Sequence, residues 1–124
     1  MTKNIELELC KDGINAWKKA FNNQDAAGCA AQYTIDAVME ARPFGIFKGR
    51  EEIQNFWQDI IDKGFSDVAY SDVHWEKAEN GGYLLTSKWT MNTAFGVVHS
   101  EHWIIDSDGK ARLVNDIFEV LGER

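Results

Sequence analysis

One proline, two cysteines and three histidines stand in 124 residues, and 13 lysines and arginines are outnumbered by 20 aspartates and glutamates. Each scarcity excludes something. So little proline beside 44% hydrophobic residues is no disordered linker; it suits one compact domain, residues 1–124, with a real core. A net charge of -7, with no Lys/Arg run, argues against a nucleic-acid backbone or an anionic membrane as partner. No apolar stretch approaches the roughly 20 residues that a membrane helix needs. The opening MTKNIELELC lacks the continuous apolar region of a signal peptide, so the cytoplasm is the expected compartment. Cys10 and Cys29 form no CxxC pair and read as two small, reduced, helix-packed residues. With no P-loop, GxGxxG turn or GxSxG elbow, nucleotide binding and serine hydrolysis have no support. His99 and His102 are three apart, a spacing that on a strand sends them to opposite faces, and only His74 is left to join them. Neither a metal nor a cofactor is expected.

What is present falls into two periods. Ile5, Leu9, Ile14, Trp17 and Phe21 recur at helical spacing, which predicts an amphipathic helix over about 4–22. Asp25 is a good N-cap for a short helix over about 26–33, whose alanines allow close approach to neighbours. In GREEIQNFWQDIIDKG, Glu51 and Glu52 suit a helix N-terminus, Ile53, Phe56, Trp57 and Ile60 share a face, and Gly64 offers a stop. DAVMEARPFGIFKG, between the last two helices, is expected to hold one short strand and a loop.

From about residue 66 the period becomes two. Segments 67–78, 83–95, 97–106 and 111–121 are rich in Val, Ile, Trp, Thr and Tyr, and are separated by ENGG, Gly96 and DSDG. This predicts a four-strand antiparallel meander, and with the helices an α+β domain whose sheet has one helix-covered face.

Three phrases, NNQDAAGCAAQYTIDAVME, GIFKGREEIQNFW and IIDSDGKARLVNDIF, give the chain a further likeness. In their order and spacing the sequence resembles the NTF2-like superfamily, particularly its SnoaL-like and ketosteroid-isomerase-like members. The resemblance implies a cone-shaped α+β fold, NTF2-like or cystatin-like, in which three N-terminal helices pack on a strongly curved, mostly antiparallel sheet around a pocket. The superfamily includes isomerases, cyclases and dehydratases as well as members that bind or dimerise, so fold alone does not give activity.

Matching the closing hairpin through DSDG places Glu101 where the isomerases carry a protonated aspartate in the oxyanion hole, a well-known case of a neutral carboxyl donor. If Glu101 points into the cone, alternation sends His99, Trp103 and Ile105 inward and Ser100, His102 and Ile104 outward. On the last strand, Val114, Asp116, Phe118 and Val120 would then turn inward. The candidate catalytic residues are Glu101, Asp116 and His99, and the candidate ligand-binding residues are Trp17, Met39, Trp103, Phe118 and Val114. A carboxyl in an apolar cavity has its charged form disfavoured and becomes a plausible acid near neutral pH. Equally, the same three titratable groups could hydrogen-bond one another and merely fix the sheet. The isomerase general-base position falls on Ala41 or Arg42, and its oxyanion-hole tyrosine on Trp17, which argues against a steroid isomerase of the usual kind.

The expected function is thus a SnoaL-like enzyme using general acid–base catalysis on a small apolar molecule. The alternative is a non-catalytic binding or dimerisation module. Trp75, His102 and Ile104, expected on the outer sheet face, point to a homodimer formed there.

Overall fold

A computed structural model describes residues 4–124. Helix α1 spans Ile5–Asn22 and is capped by Asn4, whose side chain accepts a hydrogen bond from the Leu7 N–H. Cys10, Ile14, Trp17 and Phe21 form its buried face. Asp25 caps α2 (Ala26–Ala31) by accepting from the Gly28 N–H at 2.9 Å. That helix stops two residues short of the expected end because Tyr33 already opens the first strand. Helix α3 (Gly49–Asp62) buries Ile53, Phe56, Trp57, Ile60 and Ile61, and Glu52 accepts from the Lys48 N–H at its start.

The segment expected to hold one short strand and a loop forms two strands, β1 (Tyr33–Arg42) and β2 (Gly45–Lys48). The four later strands are β3 (Ala69–Lys77), β4 (Tyr83–Thr90), β5 (Ala94–Ile105) and β6 (Ala111–Glu123). All six make one sheet in the order β2-β1-β6-β5-β4-β3, antiparallel except where β1 runs parallel to β6. The length of β1 follows from that long-range pairing: with a partner on each side, Ala37, Met39 and Ala41 are fully buried.

Gly96, expected to end a strand, lies inside β5, and the turn falls at Asn92 and Thr93. A side chain there would meet the Glu119 carbonyl at 2.0 Å and the Trp89 ring at 2.5 Å, so glycine answers a close approach, not a turn.

The β5–β6 register shifts at three places, and two of these shifts change the expected phase around the candidate residues. Val98 pairs with Phe118 and Ser100 with Ile117, which leaves His99 as the extra residue. His102 pairs with Asn115 and Trp103 with Leu113, which leaves Val114 as another. On the inner face stand Val98, Glu101, Trp103, Leu113, Asp116 and Phe118, all buried. Trp75 is also inner: it pairs with the fully buried Leu85 and packs against the core, contrary to the outer placement expected from alternation. A register shift between Ser71 and His74, with Asp72 at φ 51°, is the cause.

Candidate functional site

The chemistry of the inner face is concentrated in two adjoining strands. Glu101 on β5 and Asp116 on β6 are directly paired across the ladder, and both are almost completely buried, at 2% and 4% exposure. Residues opposite each other in an antiparallel pair hold their Cβ atoms about 5 Å apart, so the carboxyls share one environment.

Each carboxyl has a tyrosine. Tyr33, the first residue of β1, donates its hydroxyl to Asp116 Oδ2 at 2.7 Å and accepts from Trp57 Nε1 at 3.3 Å. Tyr70 on β3 donates to Glu101 Oε2 at 2.7 Å. The other oxygen of Glu101, Oε1, accepts from Trp103 Nε1 at 2.8 Å. Among the described residues Asp116 Oδ1 has no hydrogen-bond partner, and neither has the buried Trp17 Nε1. Buried polar atoms without a hydrogen bond are uncommon and cost about 1–3 kcal/mol each.

Burial raises the Glu101 carboxyl from 4.5 to about 7, against the opposing pull of its hydrogen bonds from Tyr70 and Trp103 and of the Lys18 charge. Asp116 is pushed well above the usual carboxylate range, first by burial and then by the negative charge of Glu101, with the Tyr33 hydrogen bond opposing. Both phenols are likewise raised, by burial first and by the neighbouring carboxylates second.

These groups line a small cavity of about 20 Å³ between α1, α3 and the sheet, with Trp17, Tyr33, Tyr70, Glu101, Asp116 and Phe118 in its wall. A larger groove of about 570 Å³ adjoins it. Trp57, Trp89, Met91 and Phe118 line both, a shared wall between the recess that holds the carboxyls and the wider vestibule. Phe118 stacks on Trp57 with ring centroids 5.5 Å apart, and Trp57 meets Trp17 edge-on at 5.0 Å.

Of the residues singled out from sequence, Glu101, Asp116, Trp17 and Phe118 come together here. His99 does not: its bulge turns it to the outer face, where it is exposed and Nε2 lies 2.8 Å from Glu119 Oε1. Val114 is displaced by the second bulge, and Leu113 takes the place expected for it in the cavity wall. Trp103 and Met39 are fully buried behind the wall, the first orienting Glu101 and the second 3.6 Å from the Tyr33 hydroxyl. Sequence reasoning missed Tyr33 and Tyr70. Nothing local marks them, because each is brought to its carboxyl by strand pairing across 83 and 31 residues. Among the described residues no cluster of His, Cys, Asp and Glu is arranged to hold a metal ion.

A family model described as a SnoaL-like domain matches residues 14–119. No curated protein matches the chain. Among solved structures, Aln2 from a Streptomyces species is similar with TM-score 0.83 at 14% identity, over 97% of this chain and 94% of that one. A ketosteroid isomerase-like protein from Erwinia carotovora atroseptica is similar with TM-score 0.81 at 16% identity, over 97% and 99%. ActVI-ORFA from Streptomyces coelicolor follows with TM-score 0.78 at 14% identity, over 93% and 96%. At such identities the likeness is one of fold.

Proposed function

The chain belongs to the SnoaL-like domain family, and from that premise we propose that it is a small-molecule enzyme working by general acid–base catalysis in a cone-shaped pocket. The observation that carries this reading is the pair of buried tyrosine–carboxyl couples facing one cavity, with Asp116 Oδ1 left unpartnered. A carboxyl held neutral at neutral pH by burial can give and take a proton there, which an exposed carboxylate does poorly. The adjoining vestibule, walled by Phe44, Phe56, Ile60, Phe65 and Phe118 with Glu123 and Arg124 also in its lining, suits the ring body of a small apolar molecule whose oxygen reaches the recess. Isomerisation, cyclisation and dehydration all use such a group, and proton exchange next to a carbonyl is the step common to the first two. No cofactor is required for it. We propose further that two copies pair through the outer sheet face, where Leu84, Val97, Ile104 and Ile117 are partly exposed.

The test is exchange of α-protons in a panel of neutral aromatic ketones in heavy water, followed by NMR. Asp116→Asn should retain the fold and lose roughly 10²-fold or more in exchange rate, the usual range for removing an acid or base. A second reading, a non-catalytic binding module, is favoured by the small volume of the recess and its aromatic partition. It is the correct one if ketones bind the native protein without any exchange.

A further inference from the structure

Two carboxyls directly paired in one buried site cannot both carry charge cheaply, because like charges a few ångströms apart in a poorly solvated interior disfavour each other. One proton therefore stays with the pair, and the hydrogen bonds say where. Trp103 Nε1 can only donate, so Glu101 Oε1 must be an acceptor, and Oε2 accepts from Tyr70. Both oxygens of Glu101 are thus occupied as a carboxylate's would be.

Asp116 is arranged otherwise. Trp57 Nε1, also donor only, points at the Tyr33 oxygen and so directs the Tyr33 proton toward Asp116 Oδ2. Oδ2 is an acceptor, and Oδ1, buried and without a partner among the described residues on a side chain that lines the cavity, is where a proton can reside. The remaining groups facing the pair agree. Lys18 on α1, its Nζ 5.3 Å from the centre of the Tyr70 ring, is a cation on the Glu101 side; α3 sets the uncharged Trp57 indole against the Tyr33 hydroxyl, and its Arg50 guanidinium is held on the Tyr33 backbone carbonyl at 2.8 Å and on neither carboxyl.

We propose that Glu101 is a positioning residue that carries the pair's single negative charge, and that Asp116 keeps the proton on Oδ1 and is the carboxyl that meets the ligand. This rests on the reading above and refines it. The substrate atom at the recess is then a neutral hydrogen-bond acceptor, such as a ketone oxygen, and a ligand carboxylate or phenolate is disfavoured by the Glu101 charge behind Asp116.

The experiment is a carbon-13 NMR titration of the two side-chain carboxyl carbons in the native protein and in single variants, with no substrate present. Glu101 should ionise at lower pH than Asp116. Glu101→Gln, which removes the negative neighbour, should lower the Asp116 midpoint by about one unit or more. Asp116→Asn should leave the Glu101 midpoint nearly where it was, because Asp116 is already neutral when Glu101 ionises. Tyr70→Phe, a second route should Glu101→Gln fail to fold, removes a donor to the carboxylate and should raise the Glu101 midpoint. The reverse order of ionisation, or a Glu101 midpoint that falls in Asp116→Asn, would overturn the assignment. Since no turnover is read, an inactive protein with the expected order removes only the enzyme reading. An active one with the reverse order removes only this division of roles.

Discussion

Glu101 and Asp116 place an electrostatic cost inside the core that depends on pH. In an unfolded chain Glu101 ionises near 4.5, and in the fold near 7, so across that window the folded state holds more protons. Stability contributed by the neutral form is fully present below the lower value and is lost as pH rises through the upper one. Asp116, also raised, adds to the same slope. The melting temperature should therefore fall between about pH 5 and about pH 8, and the double variant Glu101→Gln/Asp116→Asn should flatten that fall. A native protein whose melting temperature rises over this range would contradict the burial of the pair.

Between elements, the site depends on how closely α1 approaches β5. Gly13 stands mid-helix, where glycine costs about 1 kcal/mol relative to alanine. The space it leaves is filled by the Trp103 ring, 2.6 Å from where a Cβ would lie. Trp103 in turn donates to Glu101, so an absent side chain on a helix fixes a carboxyl on a strand. Gly13→Ala should destabilise the fold by about 1–3 kcal/mol despite its better helix propensity, as overpacking of a filled core does. Chemical denaturation measures it, and an unchanged or higher midpoint would mean that Trp103 can move aside freely. The bulges in β5 and β6 act at the same scale. A single extra residue at His99 turns its side chain to the outer face and restores Val98 to the inner one, without altering the apolar/polar alternation by which a strand is recognised.

Across the whole molecule, one sheet face carries the candidate site, and among the described residues no helix covers the other. Leu84, Val97, Ile104 and Ile117 stand on that outer face, each partly exposed, among His99, His102, Glu119 and Lys88. A mixed apolar and charged surface of this kind suits a self-complementary contact between two copies. We expect a homodimer through this face, with the loss of Trp75 from it made up by these four side chains. Sedimentation should show a species of twice 14.1 kDa, and a concentration-independent monomer would refute the pairing. Among the described residues no helix is long and apolar enough to cross a membrane.

Periodicity, the Asp25 cap and the turn residues are local and act through neighbours in the chain, so the helices and most of the strands are legible in the residues alone. The inward placement of Glu101 comes from the likeness of the DSDG hairpin to the isomerases, and alternation carries it to Asp116 correctly but to His99 and Val114 wrongly. Which groups surround the two carboxyls depends on contacts between segments far apart in the chain. Tyr33 and Tyr70 arrive through β1–β6 and β3–β4 pairing, Trp103 withdraws behind the wall because Gly13 admits it, and His99 leaves the site through a bulge. Register between distant strands is set by packing and by hydrogen bonds that close only when the sheet is complete, so no local pattern of residues encodes it.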